Sequence, residues 1–114
     1  MEILRKIAIE ALVELSDETL QRQRWLSTGE GEVSSFTEAV CGLYDDSGLG
    51  RKLERGQSFF GREVDASLRR FSETLRDVER LRGQLGPEAF IEHPDMGAVR
   101  AFALAILSQI KTSN

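Results

Sequence analysis

Between Val64 and Val78 the apolar residues Val64, Leu68, Phe71, Leu75 and Val78 fall alternately four and three positions apart. This spacing returns side chains to one face of an α-helix, whereas a strand sends successive residues to opposite faces. It predicts a long helix over roughly Glu63 to Gln84, with one side that must be covered. The seam is coiled-coil-like but barely three heptads long, with Leu85 just beyond it. Two coverings are open: other helices of the same chain, or a second copy of it.

The same periodicity recurs elsewhere. Ile3, Leu4, Ile7, Ala8, Ala11, Leu12 and Leu15 predict an amphipathic helix over residues 2–15. Ser16 is placed to cap the next helix, with Asp17 and Glu18 at its positive end, running to about Trp25. Leu20, Trp25 and Leu26 should anchor it. Thr28 to Glu32, with two glycines, reads as a mobile loop. Ser35 with Glu38 three residues on is a capping-box pattern. Phe36, Ala39, Val40, Leu43 and Tyr44 form the stripe that follows, and Gly48 is placed to end it. Leu49 to Arg55 predicts a short helix, and Gly56 to Gly61 a linker whose Phe59 and Phe60 turn inward. Gly86 and Pro87 close the long helix, Glu88 to Glu92 forms a short one, and Pro94 opens the last. Met96, Val99, Phe102, Ala103, Ile106, Leu107 and Ile110 make its buried stripe, with Ala98, Ala101 and Ala105 widening it. No segment alternates with period two between hairpin turns. The expected fold is all-α: a single domain over residues 1–114, an irregular bundle of four main helices with one or two short ones.

At 114 residues the chain can bury a core without disulfides or a structural metal. The lone Cys41 has no internal partner, which points to a reducing compartment, and its apolar neighbours suggest a small buried hydrophobe. The N-terminal residues alternate apolar and charged, unlike a signal peptide, and no segment approaches a membrane span. A cytoplasmic location is the expectation. The net charge of −4 argues against general nucleic-acid binding. It is unevenly spread: residues 1–50 hold ten acids against four bases, while residues 51–114 hold eleven bases against nine acids. Such asymmetry marks either solvated faces or a partner surface.

No set of residues reads as catalytic or cofactor-binding. His93 is the only histidine and Cys41 its only soft companion, so zinc spacing is missing. His93 suits a cap or surface position before Pro94. Gly29-Glu30-Gly31 lacks the lysine and spacing of a phosphate loop. Asp45 and Asp46 stand at a helix C-terminus, against the dipole, with a glycine too early for a calcium loop. They should pair with an arginine such as Arg22, Arg24 or Arg51, serve a binding role, or stand exposed without a role. Trp25 should pack with Phe36 and Tyr44; if partly exposed, it would suit an interface. Asp65 and Arg69 have the spacing of a helical ion pair. The arginines of the long helix are interleaved with acids, as on a solvated face.

Two stretches carry a resemblance. Leu15-Ser16-Asp17 with Gln21, Arg22 and Trp25 is the first. Ser35-Phe36, Glu38, Ala39-Val40, Leu43, Asp45-Asp46 and Gly48-Leu49 is the second. Together they resemble a family of small, uncharacterised helical bacterial proteins, common among actinobacteria. The resemblance covers about a third of the chain. Glu18 stands where that family commonly has proline, and Leu20 where it commonly has tyrosine. It implies a bacterial cytosolic protein and carries over no catalytic residue.

Three functions compete. The first is a non-enzymatic protein-binding module, concretely a toxin-neutralising immunity protein, whose Trp25, Glu30, Glu32, Glu38, Tyr44, Asp45 and Asp46 face a basic partner. The second is a regulator that dimerises through the 64–85 seam and touches nucleic acid with its arginines. The third is an enzyme or small-ligand protein with a pocket between helices that uses Asp45 or Asp46.

Overall fold

The computed structural model describes residues 2–26 and 35–112. Among these, seven α-helices follow one another: α1 (Glu2–Ser16), α2 (Glu18–Trp25), α3 (Phe36–Cys41), α4 (Leu49–Glu54), α5 (Arg62–Arg82), α6 (Pro87–Glu92) and α7 (Pro94–Thr112). A π-helical segment, Gly42–Asp46, continues α3 without a break. The described residues contain no strand, and the fold is the irregular all-α bundle expected. The expected loop at 28–32 lies outside the described residues.

Helix α7 is the central post: α1 and α5 make the most extensive contacts with it. Met96, Val99, Ala103, Ile106 and Ile110 bury one face of α7, and Ala8, Leu12 and Leu15 on α1 are fully enclosed. The seam residues Val64, Leu68, Phe71, Leu75 and Val78 are all buried within the chain's own core. Phe71 meets Phe102 of α7 with ring centroids 5.0 Å apart. Other helices of the same chain therefore cover the seam.

Several local details differ from expectation. The cap of α2 is Asp17, whose Oδ1 accepts from the Leu20 amide at 3.1 Å. Ser16 stays in α1 and donates to the Val13 carbonyl. Asp65 does not pair with Arg69. Its two oxygens accept the amides of Phe59 and Phe60, both at 2.9 Å, and thereby fold the linker back over the start of α5. Arg69 instead donates to the Leu53 carbonyl at 3.0 Å. A carboxylate held by two amides in a buried setting gains more than it would from an exposed ion pair. Phe59 is thereby buried and Phe60 packs against the core, as their position in the linker predicted.

Candidate functional site

The site is built around the junction of α1, α2 and the α3–π ridge. Gln21 lies four residues before Trp25, on the same face of α2, and both are buried. The Gln21 amide nitrogen donates to the carbonyls of Glu14 and Leu15 at 3.1 and 2.9 Å. Those carbonyls belong to the last turn of α1, where no intrahelical donor remains. The Gln21 Oε1 accepts from Arg100 of α7 at 2.9 Å, and Arg100 also donates to the Ile91 carbonyl at 3.1 Å. One side chain thus fastens α1, α2 and α7 together. Beside it, Arg22 pairs with Glu18 at 2.9 Å and with Glu92 at 3.2 Å.

Trp25 is 8% exposed, so it is not an open binding anchor. Its indole N–H donates to Glu14 Oε2 at 2.8 Å, and Arg24 pairs with Glu14 Oε1 at the same distance. The aromatic stack differs from the expected trio. Trp25 meets Phe36 edge-on at 6.0 Å, and Phe36 meets Phe90 at 5.1 Å. Tyr44 turns the other way and donates its hydroxyl to the Leu68 carbonyl of α5 at 2.7 Å. Burial pushes the Tyr44 phenol well above its ordinary value.

Ser35 caps α3, accepting the Glu38 amide at 3.2 Å. After Cys41 the ladder widens into the π segment, a form that is rare and often marks functional positions. Ser47 and Gly48 end it. The Ser47 hydroxyl, fully buried, donates to the Leu43 carbonyl and accepts the Leu49 amide. Gly48 takes a left-handed φ of 79°, which favours glycine. At Gly50, an added Cβ would stand 3.0 Å from the Tyr44 carbonyl oxygen. The chain doubles back there at close range.

This ridge separates two depressions. On the α1 side is a hollow of about 290 Å³, with Glu10, Glu14, Glu38 and Asp46 among its lining side chains. Among the described residues Arg24 is the one basic side chain in that lining, and it is engaged by Glu14. On the α5 side is an apolar groove of about 300 Å³, bordered by Phe36, Val40, Tyr44 and Leu75, with Arg76 and Glu79 at its edge. Cys41 lies on the ridge and lines both.

Of the candidate residues, Glu38 and Asp46 come together in the hollow, and Tyr44 borders the opposite groove. Asp45 is exposed on the ridge between them. Glu30 and Glu32 lie outside the described residues. The expected ion pair between the aspartates and Arg22, Arg24 or Arg51 does not form among the described residues; Arg22 and Arg24 pair with glutamates instead. Cys41 is exposed rather than buried, because the stripe of α3 runs through Phe36, Ala39 and Leu43 and leaves it outside. Its thiol is nonetheless pushed up, first by partial loss of water around it and then by Asp45, Asp46 and Glu79. That shift opposes thiolate chemistry. His93 is a local cap: its Nδ1 accepts the Asp95 amide at 3.0 Å. Among the described residues, no group of three or more His, Cys, Asp or Glu is placed to hold a metal. No helix among them is long and apolar enough to cross a membrane.

Sequence reasoning gave Gln21 no role of its own and left Glu10 and Glu14 out of the site. The signal for Gln21 was its spacing from Trp25, which put a polar residue at a core position. Compared with family models, curated proteins and solved structures, the chain has no match in any of the three.

Proposed function

We propose that the chain is a non-enzymatic protein-binding module that takes basic side chains of a partner into the hollow between α1 and the α3–π ridge. The observation that supports this reading is the unbalanced charge of that hollow. Glu10, Glu38 and Asp46 line it without an ion partner among the described residues, and Arg24 is spent on Glu14. A lysine or arginine from outside would balance this negative lining. Trp25 and Arg24 hold Glu14 at the rear of the hollow. The apolar groove across the ridge, with Tyr44 at its border, offers a second contact of different character. An acidic face beside an apolar groove suits a protein that blocks a basic effector, which is the toxin-neutralising form of this function.

The test is co-purification from the source organism with the wild-type chain and with a Glu10→Gln/Glu38→Gln/Asp46→Asn variant. A basic protein retained by the wild type at low salt, released by added salt and lost in the variant is the expected result. A partner held equally by the variant, or none at low salt, overturns the proposal.

A further inference from the structure

The end of α4, the linker after it and the start of α5 meet at a corner of the molecule that gathers arginines. Arg5 of α1 reaches this corner through Nε, which donates to the Phe59 carbonyl at 3.1 Å. Arg69 of α5 reaches it through Nη2, which donates to the Leu53 carbonyl at 3.0 Å. Lys52 lies between these two ties: its Nζ stands 6.0 Å from the centre of the Phe59 ring, and its carbonyl accepts the Gln57 amide at 2.8 Å. Arg51 and Arg55 are one turn apart at the end of α4, and Arg62 is the first residue of α5. All five arginines are exposed. The exposed acids of the stretch 51–63 are Glu54 and Glu63. Asp65 is buried and held by the Phe59 and Phe60 amides.

We infer that this corner binds a compact anion carrying several phosphoryl groups. Three observations select that chemistry. First, Arg22, Arg24, Arg82 and Arg100 pair with carboxylates, whereas Arg5, Arg51, Arg55, Arg62 and Arg69 form no ion pair among the described residues. Arg5 and Arg69 are positioned by neutral carbonyls, each through one of its N–H groups, and their charge is left for an anion. Second, five arginines face two exposed acids, so positive charge is in clear excess. A carboxylate ligand brings a single charge, while each phosphoryl group brings about −1.5 to −2, and guanidinium forks grip phosphate oxygens in pairs. Third, the surroundings limit the ligand's size. Glu10 of the acidic hollow stands about 7.5 Å beyond Arg5 along α1 by helical rise, within a Debye length at physiological salt. A nucleic-acid duplex laid across the corner extends past it and meets a chain of net charge −4. A short phosphate chain stays over the arginines.

Contacts to exposed arginines are individually modest in water, so affinity rests on several acting together and falls as salt is added. The positive end of the 21-residue α5 opens at the same corner, where Gly61 provides no side-chain cap, and adds to the field. Among the described residues this site shares no side chain with the acidic hollow, and either can fail without the other.

Calorimetric titration of the chain with inorganic tripolyphosphate at ~0.15 M salt should show saturable binding of one ligand per chain. An Arg62→Gln/Arg69→Gln variant, with its circular dichroism unchanged, should bind roughly tenfold more weakly. Arg62→Gln alone leaves the Arg69 tie to α4 in place and should weaken binding several-fold. Arg80→Gln, farther along α5, should bind as the wild type does. Citrate, a compact anion with carboxylates in place of phosphoryl groups, should bind more weakly than tripolyphosphate. No saturable binding, full binding by the Arg62 and Arg69 variants, an equal loss in Arg80→Gln, or citrate held as tightly overturns the inference. Tighter binding of a DNA duplex of about 20 base pairs at the same salt also overturns it, and gives the corner to nucleic acid.

Discussion

Tyr44 is the only tyrosine of the chain, and its hydroxyl is held by the Leu68 carbonyl in a setting that opposes ionisation. In an unfolded chain a tyrosine ionises near pH ~10. Because the folded value is raised, the stability that Tyr44 contributes is present below that pH and is lost as pH climbs above it. Phenolate absorbance near 295 nm should therefore stay low in the folded protein and appear together with loss of helical circular dichroism; a phenolate signal that precedes unfolding contradicts this. Cys41 offers a second readout. Partial desolvation first, and then the surrounding carboxylates, hold its thiol up, so Asp45→Asn/Asp46→Asn should speed its alkylation at a fixed pH of about 8 by relieving the second cause and increasing the thiolate fraction. Equal rates in the variant and the wild type would show that the acids do not act on the sulfur. The apolar neighbours of Cys41 in sequence suggested burial, because composition around a residue does not give its angle on the helix.

At the scale of elements, most boundaries were legible because spacing, caps and prolines agree. Ser35, Gly48 and Pro94 each sit where their chemistry placed them. The π segment was not legible: its widened ladder depends on how Ser47, Gly48 and Gly50 bring α4 back against Tyr44, and no local periodicity encodes that return. The roles of Gln21 and Asp65 were equally hidden, since both serve backbone groups rather than side chains. Gln21→Leu keeps similar bulk but removes the buried donor to the Glu14 and Leu15 carbonyls and one of the acceptors of Arg100. It should cost about 3 kcal/mol in denaturant unfolding, well beyond a surface substitution. Trp25→Phe removes one donor from the buried Glu14 carboxylate and should cost about 1–3 kcal/mol by the same measurement. A loss below a few tenths for either would show that water replaces the missing bond.

For the whole molecule, the fold class and the coverage of the long seam follow from helical spacing and chain length, but the hollow does not. Glu10 belongs to α1, Glu38 to α3 and Asp46 to the π segment, so only the tertiary arrangement brings them to one lining. The acidic bias of the first fifty residues pointed to that half, and no spacing pointed to the particular trio. If those carboxylates serve a partner, the free chain bears their repulsion. Glu38→Gln/Asp46→Asn should then raise the melting temperature at low salt, with the gain fading as salt is added, while binding weakens. A melting temperature that falls in the variant would mean these acids stabilise the free fold.

The pairing of α1 with α7 also bears on how the molecule is made. The ribosome delivers α1 before α7, yet α7 is the single helix that α1 touches most, beside the ridge of α3 and the π segment. Until then α1 lacks part of its cover, and the bundle cannot close in order of synthesis. Closure of this bundle thus waits on α7: a chain stopped at His93 has the other described α-helices but not the one around which they assemble.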